Sequence, residues 1–216
     1  MKLLACPKCH QQLHLENKTL KCENNHCYDI SKRGYINLLL NPDKATNNPG
    51  DSKESLVARK AYLNKGYYDP ILNQVITCID EFKHQDDLSI LDLGCGEGYY
   101  TQGLKKHFEN SDIYGLDISK IAIDMATRYR KDVTWLVGNS KNIPILDHSL
   151  DFICALFTVV NQDELKRALK EDGYIVHVTA NNQHLIEIKE LIYDEIKVKS
   201  DKYIRLDFKA SSRLEI

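Results

Sequence analysis

The sequence predicts an α/β protein: an open, parallel sheet wound by helices on both faces, preceded by a small zinc-binding module. Three observations lead there. Cys6-Pro-Lys-Cys9 is followed, after twelve residues, by Cys22-Glu-Asn-Asn-His26, the donor types and spacing of a structural zinc site. Leu91-Asp-Leu-Gly94-Cys-Gly96-Glu-Gly98 reads as a strand turning through a glycine-rich loop into a helix. Beyond it, short apolar runs alternate with helical stretches, which means parallel strands joined by crossovers.

In the first 40 residues, the two residues between Cys6 and Cys9 allow a tight turn that aims both sulfurs at one ion, and Cys22 and His26 complete a tetrahedron. His10 and Cys27 adjoin these donors, so an all-cysteine site using Cys27 is an alternative. Four protein donors leave no place for water, which makes the metal structural. Four of the seven cysteines fall in the first 27 residues, a distribution that favours metal ligation over disulfides.

Residues 41–85 read as a linker with leading helices. Asn41 to Ser52 is rich in Asn, Asp, Pro and Gly. Lys53 to Leu63 has helical composition, and Asp69 to Phe82 places Ile71, Leu72, Val75, Ile76 and Ile79 at amphipathic spacing. Residues 86–216 form the sheet domain, with strands expected at Ser89–Leu93, Ile113–Asp117, Val133–Val137, Leu150–Phe157 and Tyr174–Thr179.

A chain of 216 residues has room for one sizeable domain and a small appendage, and 43% apolar with 28% charged residues is ordinary for a globular protein. The longest apolar run, Phe152 to Val160, is too short to cross a bilayer, and Met-Lys-Leu-Leu-Ala-Cys is too short to be a signal core; a cytoplasmic protein is expected. Residues 1–60 hold ten Lys and Arg against six Asp and Glu, so the zinc end is basic (+4) although the whole chain is at −2. Tyr28, Lys32, Arg33 and Tyr35 there offer cations and flat rings for phosphates and unpaired bases.

In open parallel sheets ligands bind at the carboxyl ends of the strands. Gly94, Gly96 and Gly98 give G-x-G-x-G, one residue short of the dinucleotide fingerprint. Asp117 ends the second strand 25 positions after Asp92, where a carboxylate accepts ribose hydroxyls; the alternative is a helix cap. Asn139, after the third strand, is placed for an adenine edge or for a turn. The cofactor is then NAD or S-adenosylmethionine. The Asp-Leu-Gly-Cys-Gly-Glu-Gly wording of the loop favours the second, in which no pyrophosphate needs cradling and a carboxylate at Glu97 is tolerated.

Several segments carry a resemblance: Cys-Pro-x-Cys at 6–9, Tyr35-Ile-Asn-Leu-Leu, Gly50-Asp-Ser52, Ala58-Arg-Lys-Ala-Tyr-Leu63, Gly66-Tyr-Tyr-Asp-Pro70 and Leu91 to Thr101. From residue 6 to about 195 the chain resembles the bacterial large-subunit (23S) ribosomal RNA guanine-N1 methyltransferases. The resemblance implies a Rossmann-like S-adenosylmethionine-dependent methyltransferase sheet and zinc on Cys6, Cys9, Cys22 and His26. It also implies a cofactor pocket lined by Tyr68, Gly96, Glu97 and His184, and a ribosomal RNA stem-loop as partner. Asp51 and Arg59 recur within it without an evident role.

The implied reaction moves a methyl group from a sulfonium to a ring nitrogen, so the protein chiefly aligns the reactants, and a base must take the N1 proton. The fourth strand ends in Phe157-Thr-Val-Val-Asn161, whereas many base methyltransferases have a polar or Pro-containing motif there. Tyr203 to Phe208 is expected as a sixth strand with no seventh, a C-terminally incomplete sheet whose open edge favours a homodimer. Alternative readings are an inactive zinc-bearing RNA-binding remnant, or a methyltransferase for another RNA or a small molecule.

Overall fold

Strands β5 (Ser89–Leu93), β6 (Asp112–Asp117), β7 (Thr134–Val137), β8 (Leu150–Leu156) and β9 (Leu169–Val178) are rich in Leu, Ile, Val and aromatic residues, and β5 to β8 are buried on both faces, as parallel strands under two covering layers must be. The computed structural model describes residues 1–40, 50–181 and 186–193. A sixth strand, β4 (Ile36–Asn37), pairs parallel with β7, giving the order β4-β7-β6-β5-β8-β9 with every pairing parallel. Residues 36 and 37, read from sequence as part of the zinc module, thus cover the β7 edge of the large sheet.

The order reverses at β5 and β8. Connections from β5 run towards β6 and β7, those from β8 towards β9, and this switch point opens a crevice at the strands' carboxyl ends.

One face of the sheet carries helices. α2 (Asp69–Phe82) buries Val75 and Ile79, α3 (Tyr99–His107) buries Leu104, and α4 (Lys120–Ala126) buries Ile123 and Ala126, all in one cluster with Trp135, Phe152 and Cys154. Pro70 in the first turn of α2 has no N–H to lose there. α1 (Lys53–Leu63) is capped by Ser52, whose hydroxyl accepts from Ser55 N–H, and packs on α4.

The opposite face departs from the expected helical layer. Among the described residues, α5 (Gln162–Ala168) is the helix that joins that core, alongside the zinc module, whose Leu4, Cys6, Leu13, Leu20 and Cys22 share one cluster with Leu91, Tyr114, Leu116, Ile145 and Ile153. The module is a three-stranded antiparallel sheet of β1 (His14–Glu16), β2 (Thr19–Lys21) and β3 (Cys27–Asp29), its first turn made by Asn17 at φ 60°. It docks on the helix-free connection between β7 and β8. Ala5 N–H donates to Pro144 O at 3.0 Å, Leu146 N–H to Leu3 O at 2.9 Å, and the Asn142 amide to Pro7 O at 2.9 Å.

β9 begins at Leu169, five residues before the expected Tyr174. Its register against β8 slips between Leu150 and Phe152, and Gly173 sits where a Cβ would lie 2.9 Å from Leu150 O. A last helix, α6 (Ile186–Ile192), follows. The expected strand at Tyr203–Phe208, on which the homodimer expectation rested, lies outside the described residues, as does His184.

Candidate functional site: a zinc knuckle and an acidic glycine loop

The first site is the cluster expected from spacing. The donor atoms of Cys6, Cys9, Cys22 and His26 lie within 4.8 Å of one another. A tetrahedral zinc with bonds of about 2.3 Å to sulfur and about 2.0 Å to nitrogen needs S···S edges of about 3.8 Å and S···N edges of about 3.5 Å. Cys9 and Cys22 sulfurs stand 3.7 Å apart, and His26 Nδ1 lies 3.4–3.5 Å from all three sulfurs. The donor types and these edges fit a tetrahedral zinc. Cys27 is exposed with its sulfur directed to Asn25 O, and His10 stands outside the cluster, so neither alternative donor is used. The Tyr28 hydroxyl lies 3.3 Å from Cys6 Sγ, where it would donate to the thiolate once zinc is bound.

That contact corrects one expectation. Tyr28 supports the metal site, Tyr35 is 7% exposed in the helix-side core, and Arg33 is paired with Asp124 at 2.8 Å, so of the four proposed RNA-contacting residues only Lys32 stands exposed with no partner assigned.

The second site lies at the switch point. Gly94, Gly96 and Gly98 all have positive φ, at 73°, 56° and 86°. A Cβ at Gly94 would collide with Thr158, and one at Gly98 with Trp135. At Gly96 it would meet nothing within 4 Å, so this glycine faces open space, as a loop pressed against a ligand requires.

Three carboxyl groups surround the loop. Asp117 accepts from Gly96 N–H at 2.9 Å and Ser119 N–H at 2.7 Å, one on each oxygen, leaving a lone pair on each. The cap of α4 is Ser119, whose hydroxyl accepts from Ala122 N–H, so Asp117 is not the capping residue. Asp92 is 1% exposed and accepts from the Thr101 hydroxyl at 2.5 Å; burial, then the charges of Asp117 and Glu97, push its carboxyl up to about 7. Burial likewise raises Asp117 and Glu97. Glu97 is 3% exposed, and its Oε1 is buried with no hydrogen-bond partner. It borders a shallow, open cleft lined also by Lys60, Asn64, Tyr99, Gln102 and Tyr129.

This environment repels a pyrophosphate and attracts a cation. A sulfonium cofactor with a protonated amino group fits it, and a dinucleotide does not. Arg59 and Lys60 of α1 hold Glu97 down against its burial, and Asp51, ion-paired with Arg59 at 2.6 Å, faces Asp117.

Tyr68, the residue before α2, meets Phe157 edge to face at 6.2 Å and so stands at the mouth of the same crevice. Asn139 Oδ1 accepts from Lys141 N–H at 3.0 Å, which gives Asn139 its turn role. Sequence reasoning gave no role to Asp92 or Thr101, and singled out Phe157 only as part of a departure from the usual acceptor motif. Asp92 and Thr101 were legible as polar residues on the buried sides of a strand and a helix; Phe157 carried no signal beyond its place after β8.

Comparisons with known proteins match both sites in order. The family model "RlmA, N-terminal", a zinc ribbon, covers residues 4–45, and "Methyltransferase domain" covers 90–173. Among solved structures, the plantazolicin methyltransferase BpumL superposes with a TM-score of 0.52 at 19% identity, over 67% of this chain and 60% of that one, a likeness of fold. The acidic loop and the domain match make the chain an S-adenosylmethionine-dependent methyltransferase. YxjB of Bacillus subtilis, assigned by name to the 23S rRNA (guanine-N(1)-)-methyltransferases, is 30% identical over 89% of this chain and 70% of its own length. The 23S rRNA (guanine(748)-N(1))-methyltransferase of Streptomyces fradiae is 28% identical over 95% of this chain and 73% of its own. The chain belongs to this guanine-N1 methyltransferase family.

Proposed function

We propose that the protein methylates N1 of a guanine in an exposed loop of a 23S ribosomal RNA stem-loop, in the cytoplasm. The observation that supports this most is that similarity to named 23S rRNA methyltransferases runs through the zinc module and the sheet together, rather than through the sheet alone. In this reading residues 1–40 grip the RNA, 41–85 bridge, and 86–216 carry the methyl transfer. No helix among the described residues is long and apolar enough to cross a membrane.

S-adenosylmethionine supplies an electrophilic methyl on a cationic sulfur. Gly94, Gly96 and Gly98 let the backbone approach it, Asp117 accepts the ribose hydroxyls, and Glu97 uses its unpartnered oxygen on the cationic end. Tyr68 completes the pocket wall, Asn139 borders the adenine side, and the family resemblance adds His184 to the cofactor-binding residues. In the transfer the N1–methyl bond forms as the sulfur–methyl bond breaks, the bonding pair returns to sulfur, and the N1 proton leaves to solvent or a nearby base.

Calorimetric titration with S-adenosylmethionine, followed by reverse transcription of treated 23S rRNA, tests this. The expected result is saturable binding and one new stop, because a methyl at N1 blocks the Watson–Crick edge. Binding without any stop would exclude this RNA as substrate.

A further inference from the structure

The end of β8 has no polar acceptor motif, and the structure places a strained aromatic residue there instead. Phe157 has φ 55°, a region that a bulky L-residue avoids unless its surroundings force it. It is held by its N–H donating to Val178 O at 2.9 Å, and its side chain is left 44% exposed. A strained backbone that leaves so much of an aromatic ring in water is an arrangement that packing alone does not explain.

The position is informative. The next residue, Thr158, touches the glycine loop so closely that a Cβ on Gly94 would lie 2.2 Å from its hydroxyl, so Phe157 stands at the switch point beside the cofactor loop. Its ring begins a chain of aromatic contacts running out to the surface: Phe157 to Tyr68, Tyr68 to Tyr62 at 6.0 Å, and Tyr62 to Tyr67 at 5.2 Å. Tyr62 and Tyr67 are 49% and 60% exposed, and exposed Lys65 lies between them in sequence. The Tyr100 hydroxyl, on the helix that opens after the glycine loop, is buried with no partner.

We propose that Phe157 is the stacking floor for the unpaired purine that accepts the methyl group, with Tyr62, Tyr67 and Lys65 guiding the flanking nucleotides. The inference rests on the reading of the chain as an RNA methyltransferase. Flat rings are met by bases whatever their sequence, and the lysine charge complements the phosphates. The left-handed backbone leaves the ring exposed against Tyr68 and next to the glycine loop, which gives a reason for keeping an energetically poor conformation.

The test compares wild type with Phe157→Ala, Phe157→Gly and Phe157→Trp, using an RNA hairpin whose loop carries 2-aminopurine at the acceptor position. Stacking quenches the probe's fluorescence without requiring methyl transfer. Wild type and Phe157→Trp are expected to quench; the Ala and Gly variants are expected to lose quenching and about 10- to 100-fold in kcat/KM for RNA, with S-adenosylmethionine affinity unchanged. Phe157→Gly should melt about 2–4 °C above Phe157→Ala, because glycine tolerates positive φ. Quenching that persists in Phe157→Ala, or a parallel loss of cofactor affinity, overturns the proposal. Failure of the wild type to methylate any RNA overturns the functional reading instead, and the fluorescence result still decides the role of Phe157.

Discussion

The zinc knuckle and the glycine loop treat their polar groups in opposite ways. At the knuckle three sulfurs and a ring nitrogen converge on one point, and Tyr28 supports the first of them. At the loop Asp92, Glu97 and Asp117 crowd together, each raised by burial, and one Glu97 oxygen has no partner. The first site is closed by the chain's own donors around a structural ion. The second stays electrostatically unbalanced until a cation arrives. A site kept in imbalance is one built for an exchangeable ligand, because stability alone would remove it.

The contrast can be broken most forcefully at the knuckle. Cys22→Ser, or chelation, should remove the metal by elemental analysis and lower the unfolding temperature by more than about 10 °C, since zinc binding of about 10 kcal/mol in isolated modules is folding free energy. Because Leu4, Leu20 and Cys22 share a core with Leu91 and Ile145, hydrogen exchange should also quicken in β4 and in residues 142–146. Unchanged protection there would refute the shared core.

Asp117→Ala should weaken S-adenosylmethionine by about 10- to 100-fold, the worth of hydrogen bonds to a charged group, while leaving metal content at the wild-type level. Loss of zinc in that variant would show that the two sites are not separable.

A smaller effect is expected from pH. Between the ordinary value of 3.8 and about 7, folded Asp92 holds a proton that the unfolded chain has released, so stability without cofactor falls as pH rises through that window. Cofactor affinity should rise across the same window, because ionised carboxylates attract the cation. Asp92→Asn, which still accepts from Thr101, should flatten both profiles in thermal melts and calorimetry; profiles as steep as wild type would assign the titration to another group.

The smallest effect belongs to the Arg33–Asp124 ion pair between the zinc module and α4. Arg33 is half exposed, so Arg33→Ala should cost only about 0.5 kcal/mol in denaturant unfolding. A larger loss would make this pair, rather than the shared apolar core, the tie between the regions.

Much of this was legible in the chain because it depends on neighbours in sequence. The bounds of α1 and α2 follow from apolar spacing, Ser52 and Pro70, and the zinc donors from their intervals. The three glycines of the loop are similarly local, since positive φ is a property of single residues. Reading Tyr35 as a ring free to stack failed for the opposite reason, and Tyr28 came out half-buried with its hydroxyl on Cys6: aromatic side chains are amphipathic, and only packing decides which end meets water.

By itself, then, the sequence determined the elements, the order of the two sites and the chemical types that line them. Only the tertiary structure decided that the zinc module replaces a helical layer, that β4 covers the β7 edge, that Ser119 and not Asp117 caps α4, and that Phe157 turns outward. Those outcomes depend on burial and on contacts between residues far apart in the chain, and a raised carboxyl such as Asp92 exists only once water has been excluded around it.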